Sequence, residues 1–149
     1  QKAFIVKNDM LLMIRKSKHE KPNPLRWDLP GGRMDFGEEI DNSLKREIFE
    51  EVGINAHVGK PYYLKQWYVT RHVNGTNEPL EMQIVCVFRA CSAMETQLTN
   101  ENSTETEQIE LIEWIPIDNI LELDIMPALV DVIKEFIQDF KNKKIDFPE

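Results

Sequence analysis

With 149 residues, 42% of them apolar and 30% charged, the chain has an ordinary globular balance and enough length to bury a core without disulfides or a structural metal. Its formal net charge of −8 excludes the basic surface that long nucleic acids need, yet leaves room for a small nucleotide held by a metal ion and a few basic side chains. No apolar stretch approaches the roughly 20 residues of a membrane span, no signal peptide is visible, and Cys86 and Cys91 lack a CxxC spacing, which fits a reduced, cytoplasmic protein.

Ala3-Phe4-Ile5-Val6 and Leu11-Leu12-Met13-Ile14 are apolar runs around Lys7-Asn8-Asp9-Met10, and predict a β-hairpin with left-handed backbone at Asn8 and Asp9. Residues 19–24 form a polar, proline-broken loop. Trp27-Asp28-Leu29 is a short extended piece, because Pro30 disfavours helix before it. From Glu39 to Val52 the pattern is helical, with Leu44, Ile48 and Val52 in one apolar stripe and Gly53 placed to cap it. Two strand-like runs follow, 62–70 and 80–91, joined by a turn-rich segment containing Asn74-Gly75. Odd spacing along the second run sends Cys86 and Cys91 to opposite faces. Residues 93–106 read as a mobile polar loop, 110–115 as a strand, and 127–140 as an amphipathic helix. The order predicts an α/β fold in which a mixed sheet is covered by helices on both faces, with no linker or repeat that would divide residues 1–149 into more than one domain.

The segment Lys45-Arg46-Glu47-Ile48-Phe49-Glu50-Glu51-Val52-Gly53 carries the chemistry. On a helix, Glu50 and Glu51 sit about 60° to one side and about 40° to the other of Glu47, so the three carboxylates share one face beside the apolar stripe. Like charges at this spacing repel, and carboxylates near a helix C-terminus oppose its dipole. The trio admits two readings: a solvated acidic face, or a site whose repulsion a hard divalent cation relieves. On the same geometry, Arg46 lies about 100° from Glu47, too far round to join the cluster directly.

The wider spacing separates the two readings. Gly32, five residues, Glu38, seven residues, then Arg46-Glu47-Ile48-Phe49-Glu50-Glu51-Val52-Gly53-Ile54 resembles a complete Nudix box, GX5EX7REUXEEXGU with U apolar. Trp27-Asp28-Leu29-Pro30-Gly31 also resembles the family's approach to the box. The resemblance implies an α/β/α sandwich that binds Mg²⁺, with Mn²⁺ as a substitute, and splits a phosphoanhydride bond in a nucleoside diphosphate derivative. It implies Glu38, Glu47, Glu50 and Glu51 as metal ligands, with Glu47 or Glu50 also serving as base. It gives Arg46 the task of orienting Glu38 or Glu47 through a salt bridge. Gly31 and Gly32 let the loop turn so that Glu38 reaches the metal and, with Arg15, they form the expected substrate side.

Some family members draw a further base from the loop before the late strand, which here nominates Glu107, with Glu110 beside it and Trp114 as the strand's anchor. Arg15 and Lys16 could meet phosphate or be ordinary exposed basic residues, and Trp27, Trp67 and Tyr68 could stack on a base or fill the core. His19, His57 and His72 have no metal spacing and read as surface residues. Nucleoside triphosphates rank first as substrate, followed by nucleotide sugars and dinucleoside polyphosphates. A nucleotide sensor without turnover and an acidic interaction domain are the readings from other classes, and a homodimer is compatible with all of them.

Overall fold

The computed structural model describes residues 1–20, 23–72, 76–103 and 109–149. Strands β1 (Lys2–Lys7) and β2 (Met10–Lys16) form the expected antiparallel hairpin. Asn8 and Asp9 adopt φ of 50° and 58°, the left-handed pair that such a tight turn requires. Strand β3 (Trp27–Asp28) pairs with β2, helix α1 spans Ile40–Val52, and the long strands β4 (Ala56–His72) and β5 (Pro79–Ala93) pair antiparallel. Strand β6 (Ile109–Pro116) returns to β2, two 3-10 turns follow at Ile117–Glu122 and Pro127–Leu129, and α2 (Val130–Lys141) comes last of the helices.

The sheet order is β3-β2-β1-β5-β4, with β6 paired to β2. Only β1 and β5 run parallel among these pairings, so the sheet is mixed. Each face carries its own core. Phe4, Leu11, Met13 and Phe88 pack against Val132, Ile133 and Phe136 of α2. Ala3, Ile5, Leu12 and Ile14 pack against Leu44, Ile48 and Val52 of α1. Alternation along each strand therefore fills two layers and holds α1 on one face and α2 on the other. Cys86 lies in the α2-side core and Cys91 in the α1-side core, as their odd spacing requires.

Several boundaries differ from the sequence expectation. Strands β4 and β5 are longer than the 62–70 and 80–91 runs, because β4 continues through Gly59 and Pro61 by shifting register. Pro61 is tolerated because β4 is the edge of the path and needs no donor there. A side chain at residue 59 would strike the Ala90 carbonyl at 2.6 Å, so glycine lets the two backbones close. The segment read as a mobile loop is, in its described part, a cap for α1. Thr99 donates its backbone N–H to Val52 O at 3.1 Å, and Ser103 Oγ donates to Glu50 O at 3.3 Å. These bonds satisfy carbonyls that a helix end leaves unpaired. Gly53 closes the helix with φ of 74°, its N–H donating to Phe49 O at 3.0 Å. The Asn74-Gly75 turn lies outside the described residues.

The other end of α1 is fixed by charge. Arg89, 8% exposed in β5, donates from Nη1 to Asp41 Oδ1 at 2.6 Å and from Nε to Gly59 O at 2.8 Å. Asp41 stands in the first turn of α1, where an acidic group also suits the helix dipole. Both ends of the helix are thus tied to the sheet or its connections, which sets the orientation of its carboxylate face.

Candidate active site

The C-terminal half of α1 faces the turn that follows β3. Leu44, Ile48 and Val52 dock on the sheet with no exposed surface, which carries Glu47 and Glu51 inward beside them. Glu47 is 5% exposed and Glu51 2% exposed, an unusual depth for carboxylates. Glu50 stays nearer the rim, with its side chain 24% exposed. The shared face expected for these three glutamates is present, but it runs from a buried edge to a solvated one.

Gly31 and Gly32 bring the β3 turn against this face by two different means. Gly31 has φ of 125°, a conformation that side-chain-bearing residues rarely adopt. Its N–H donates to Glu51 Oε2 at 2.7 Å. Gly32 lies outside the left-handed region, and its need is space: a Cβ there would fall 2.5 Å from Glu47 Cδ and 2.8 Å from Oε1. The pair was expected to turn the loop for Glu38 and to bind substrate. In the structure the Gly31 N–H is engaged by Glu51, and Gly32 leaves room for the Glu47 carboxylate.

Arg46 makes the salt bridges expected to Glu38 and Glu47, but corrects the expectation that it lies too far round to join the cluster. The long guanidinium stem carries its head back across the 100° that separates it from Glu47, so it lies among the carboxylates. Nε donates to Glu38 Oε1 at 2.7 Å and Nη2 to Glu38 Oε2 at 3.0 Å. Nη1 is shared between Glu47 Oε1 at 2.9 Å and Glu50 Oε2 at 3.1 Å. This is a planar, two-pronged grip of the kind only arginine makes. Glu38 therefore joins the cluster through Arg46, which bonds both of its oxygens. Hydrogen bonds from Arg46, then from the Asp35 backbone, pull the Glu38 carboxyl down to about 2.

Glu51 has the opposite electrostatics. Burial pushes its carboxyl up to about 8, against the opposing pull of Lys2, Lys16 and the Gly31 N–H. Beneath it lies a polar group of Lys2, Asp28 and Lys16, of which only Lys16 was a candidate from the sequence. Lys2 Nζ donates to Asp28 Oδ2 at 3.0 Å, Leu29 O at 2.8 Å and Gly31 O at 3.0 Å. Lys16 Nζ stands 3.7 Å from the same Asp28 oxygen. Burial alone would lower the Lys2 pKa, but Asp28 and Glu51 outweigh it and hold the ammonium above its ordinary range. The available signal was a lysine opening an apolar strand and an aspartate inside Trp-Asp-Leu-Pro-Gly, both odd residues for buried positions.

The donor set suits a divalent cation. Glu47 Oε2 is buried and has no hydrogen-bond partner, a costly state for a carboxylate oxygen. Hard cations prefer such oxygens. Among the described residues, however, no three acidic, imidazole or thiol groups already converge as a metal cage. The physical reason is Arg46, whose guanidinium holds Glu38, Glu47 and Glu50.

The remaining candidates divide. Arg15 Nη2 is paired with Glu110 Oε2 at 3.1 Å, its guanidinium lies 5.8 Å from the Trp27 ring centre, and its Nε is buried without a partner. Trp27 is buried in the α2-side core and Trp67 packs against it, whereas Tyr68 is 76% exposed on β4. His19, His57 and His72 are exposed, as expected. Glu107 lies outside the described residues. A surface hollow of about 370 Å³ at the β1–β2 turn, lined by Asn8, Asp9 and Asp118 among others, touches none of Glu38, Glu47, Glu50 or Glu51 and plays no part in the site.

Sheet, flanking helices and carboxylate-lined helix together define an α/β fold of a class of hydrolases that act on phosphoanhydrides. The chain is a member of the Nudix family: a model of the NUDIX domain matches residues 3–138. It is similar to the nucleoside triphosphatase NudI of Enterobacter sp. (strain 638), 29% identical over 128 residues that cover 84% of this chain and 86% of that one. It is also similar to the RNA pyrophosphohydrolase of Ruthia magnifica subsp. Calyptogena magnifica, 25% identical over 98% of this chain and 85% of that one. The fold matches a NUDIX hydrolase from Nitrosomonas europaea with a TM-score of 0.67 at 19% identity, covering 99% and 89% of the two chains. No helix among the described residues is long and apolar enough to cross a membrane.

Proposed function

We propose that the protein is a divalent-metal-dependent pyrophosphohydrolase of nucleoside triphosphates, with Mg²⁺ or Mn²⁺ held by Glu47, Glu50 and Glu51. The observation that carries this reading is the buried, partnerless Glu47 Oε2 beside the buried Glu51 carboxylate. When bound, the ion neutralises pyrophosphate charge and acidifies a water. The chain's own groups do the rest. Gly31 fixes Glu51 from behind through its N–H. Arg46 holds Glu38 by two bonds and balances Glu47 and Glu50. Glu50, whose side chain is 24% exposed, takes a proton from an incoming water in this reading. In this reading Glu38 is the anchor of Arg46 and not a ligand.

The triphosphate ranking draws support from the resemblance to a nucleoside triphosphatase over most of both chains. It is tested by comparing kcat/KM across nucleoside triphosphates, nucleotide sugars, dinucleoside polyphosphates and a 5′-triphosphorylated RNA. A triphosphate should be preferred by about tenfold or more, equivalent to about 1.4 kcal/mol of transition-state discrimination. Preference for a sugar or dinucleotide would overturn the ranking, and binding without turnover would favour a sensor.

Metal affinity should depend on pH with a definite sign. The metal-free Glu51 carboxyl is raised from 4.5 to about 8, so near neutrality the folded protein holds a proton there that the unfolded chain does not. That contribution to stability is fully present below about pH 4.5 and is lost as pH rises through about 8. A cation must displace this proton, so affinity should rise up to about tenfold per pH unit until about pH 8. Calorimetry in buffers of different ionisation heat should show close to one proton released on Mg²⁺ binding at neutral pH. Affinity independent of pH, with no proton released, would contradict the placement of Glu51.

A further inference from the structure

We propose that Lys2 is a positioning residue for Glu51, acting through the Gly31 turn. This rests on the reading of Glu51 as a metal ligand. The side chain of Lys2 is only 15% exposed. An ammonium has three N–H donors, and here each has an acceptor: Asp28 Oδ2, Leu29 O and Gly31 O, all within 3.0 Å. The three acceptors belong to one stretch of four residues, 28–31, which joins β3 to the glycine pair. One side chain from β1 therefore clamps the whole turn.

The clamp reaches the carboxylate through Gly31. The Gly31 carbonyl accepts from Lys2, while its N–H donates to Glu51 Oε2 at 2.7 Å. These groups lie in the two peptide planes on either side of the Gly31 Cα, so Lys2 and Glu51 grip the residue from opposite ends. At φ of 125° the conformation is one that glycine visits among many others, and it needs such restraint to persist. The Pro30 carbonyl shares its peptide unit with the Gly31 N–H and accepts from the Ala3 N–H at 2.8 Å, so the turn should survive loss of Lys2, while the peptide carrying the Gly31 carbonyl is freed and strains the Glu51 contact across the Gly31 Cα. Lys16 approaches the same aspartate at 3.7 Å but has no hydrogen bond to the turn's carbonyls. Ligand-orienting contacts of this kind matter for affinity and rate even though they touch neither metal nor substrate.

The experiment compares wild type with Lys2→Met, which keeps length and removes the charge, and Lys2→Arg, which keeps the charge. A planar guanidinium cannot meet three acceptors arranged for a tetrahedral ammonium, so the arginine variant should fold and still release Gly31. In both variants the Gly31 amide of the metal-free protein should exchange with solvent about tenfold faster or more. Calorimetry should show Mg²⁺ half-saturation raised by about ten- to a hundredfold. Turnover should lose kcat while the nucleotide KM stays within about threefold, which a general loss of folded protein would not produce. If Lys2→Met fails to fold, Lys2→Arg decides. Unchanged Gly31 exchange or unchanged Mg²⁺ half-saturation in a folded variant would overturn the proposal. Gly31 exchange needs neither metal nor substrate, so it tests the clamp even if wild type turns over no nucleotide; that result would instead overturn the hydrolase reading.

Discussion

Replacing Glu51 by glutamine should lower turnover by about a thousandfold or more while leaving the fold intact, the scale on which preorganised charge acts in a dry site. Glutamine has nearly the shape of a protonated glutamate, the form that burial already favours with the carboxyl at about 8. Its carbonyl oxygen can still accept the Gly31 N–H that now meets Oε2 at 2.7 Å. The metal-free variant should therefore melt at or above the wild-type temperature. The two proteins should part when Mg²⁺ is added, because a ligand that binds only the folded state raises its melting temperature. Wild type should rise and Glu51→Gln should not. A variant that keeps full turnover, or gains as much stability from Mg²⁺ as wild type, would remove Glu51 from the metal site.

The second large effect separates two adjacent glycines. Gly32→Ala should cost about 1 kcal/mol or less in stability, because the obstructing atoms are the end of a side chain that can swing away. Its Cβ would fall 2.5 Å from Glu47 Cδ, so the carboxylate must leave its place. A displacement of that size in a reacting group costs about a hundredfold in rate. Gly31→Ala should do the reverse. Its Cβ would meet fixed backbone, 3.0 Å from Lys2 Cα, at a φ of 125° that alanine resists. That substitution should destabilise the protein by about 3 kcal/mol. Urea unfolding paired with turnover for each variant checks both. Equal stability losses for the two, or full activity in Gly32→Ala, would contradict the distinct roles.

Much of this arrangement was legible in the sequence because it is local. The stripe of Leu44, Ile48 and Val52 and the common face of Glu47, Glu50 and Glu51 follow from helical periodicity alone. The hairpin turn at Asn8-Asp9 and the cap at Gly53 follow from backbone preferences of single residues. What escaped depends on contacts between distant parts of the chain. That Gly32 makes room for a carboxylate, while Gly31 supplies an unusual φ, cannot be told apart from a Gly-Gly pair. Lys2 and Asp28 are 26 residues apart and meet only because β1 and β3 both flank β2. The salt bridge from Arg46 was expected, but its place among the carboxylates was not, because the angle between two Cα positions ignores how far a guanidinium reaches. The 93–106 segment looked like a free loop because nothing local shows that the Thr99 N–H and the Ser103 hydroxyl cap α1.

The two cations at the site divide the work by distance. Arg46, at the rim, gathers Glu38, Glu47 and Glu50. Lys2, beneath Glu51, holds the turn that anchors it. Glu47 Oε2, free of any donor, would be the oxygen open to a divalent ion.

The measurement that tests this most directly is release of phosphate-containing product from nucleoside triphosphates, in three reactions. Wild type with Mg²⁺ should turn over; wild type with a chelator and Glu51→Gln with Mg²⁺ should not. Undiminished turnover in the chelator, or bound nucleotide that is never cleaved at any Mg²⁺ concentration, would contradict a metal-dependent hydrolase.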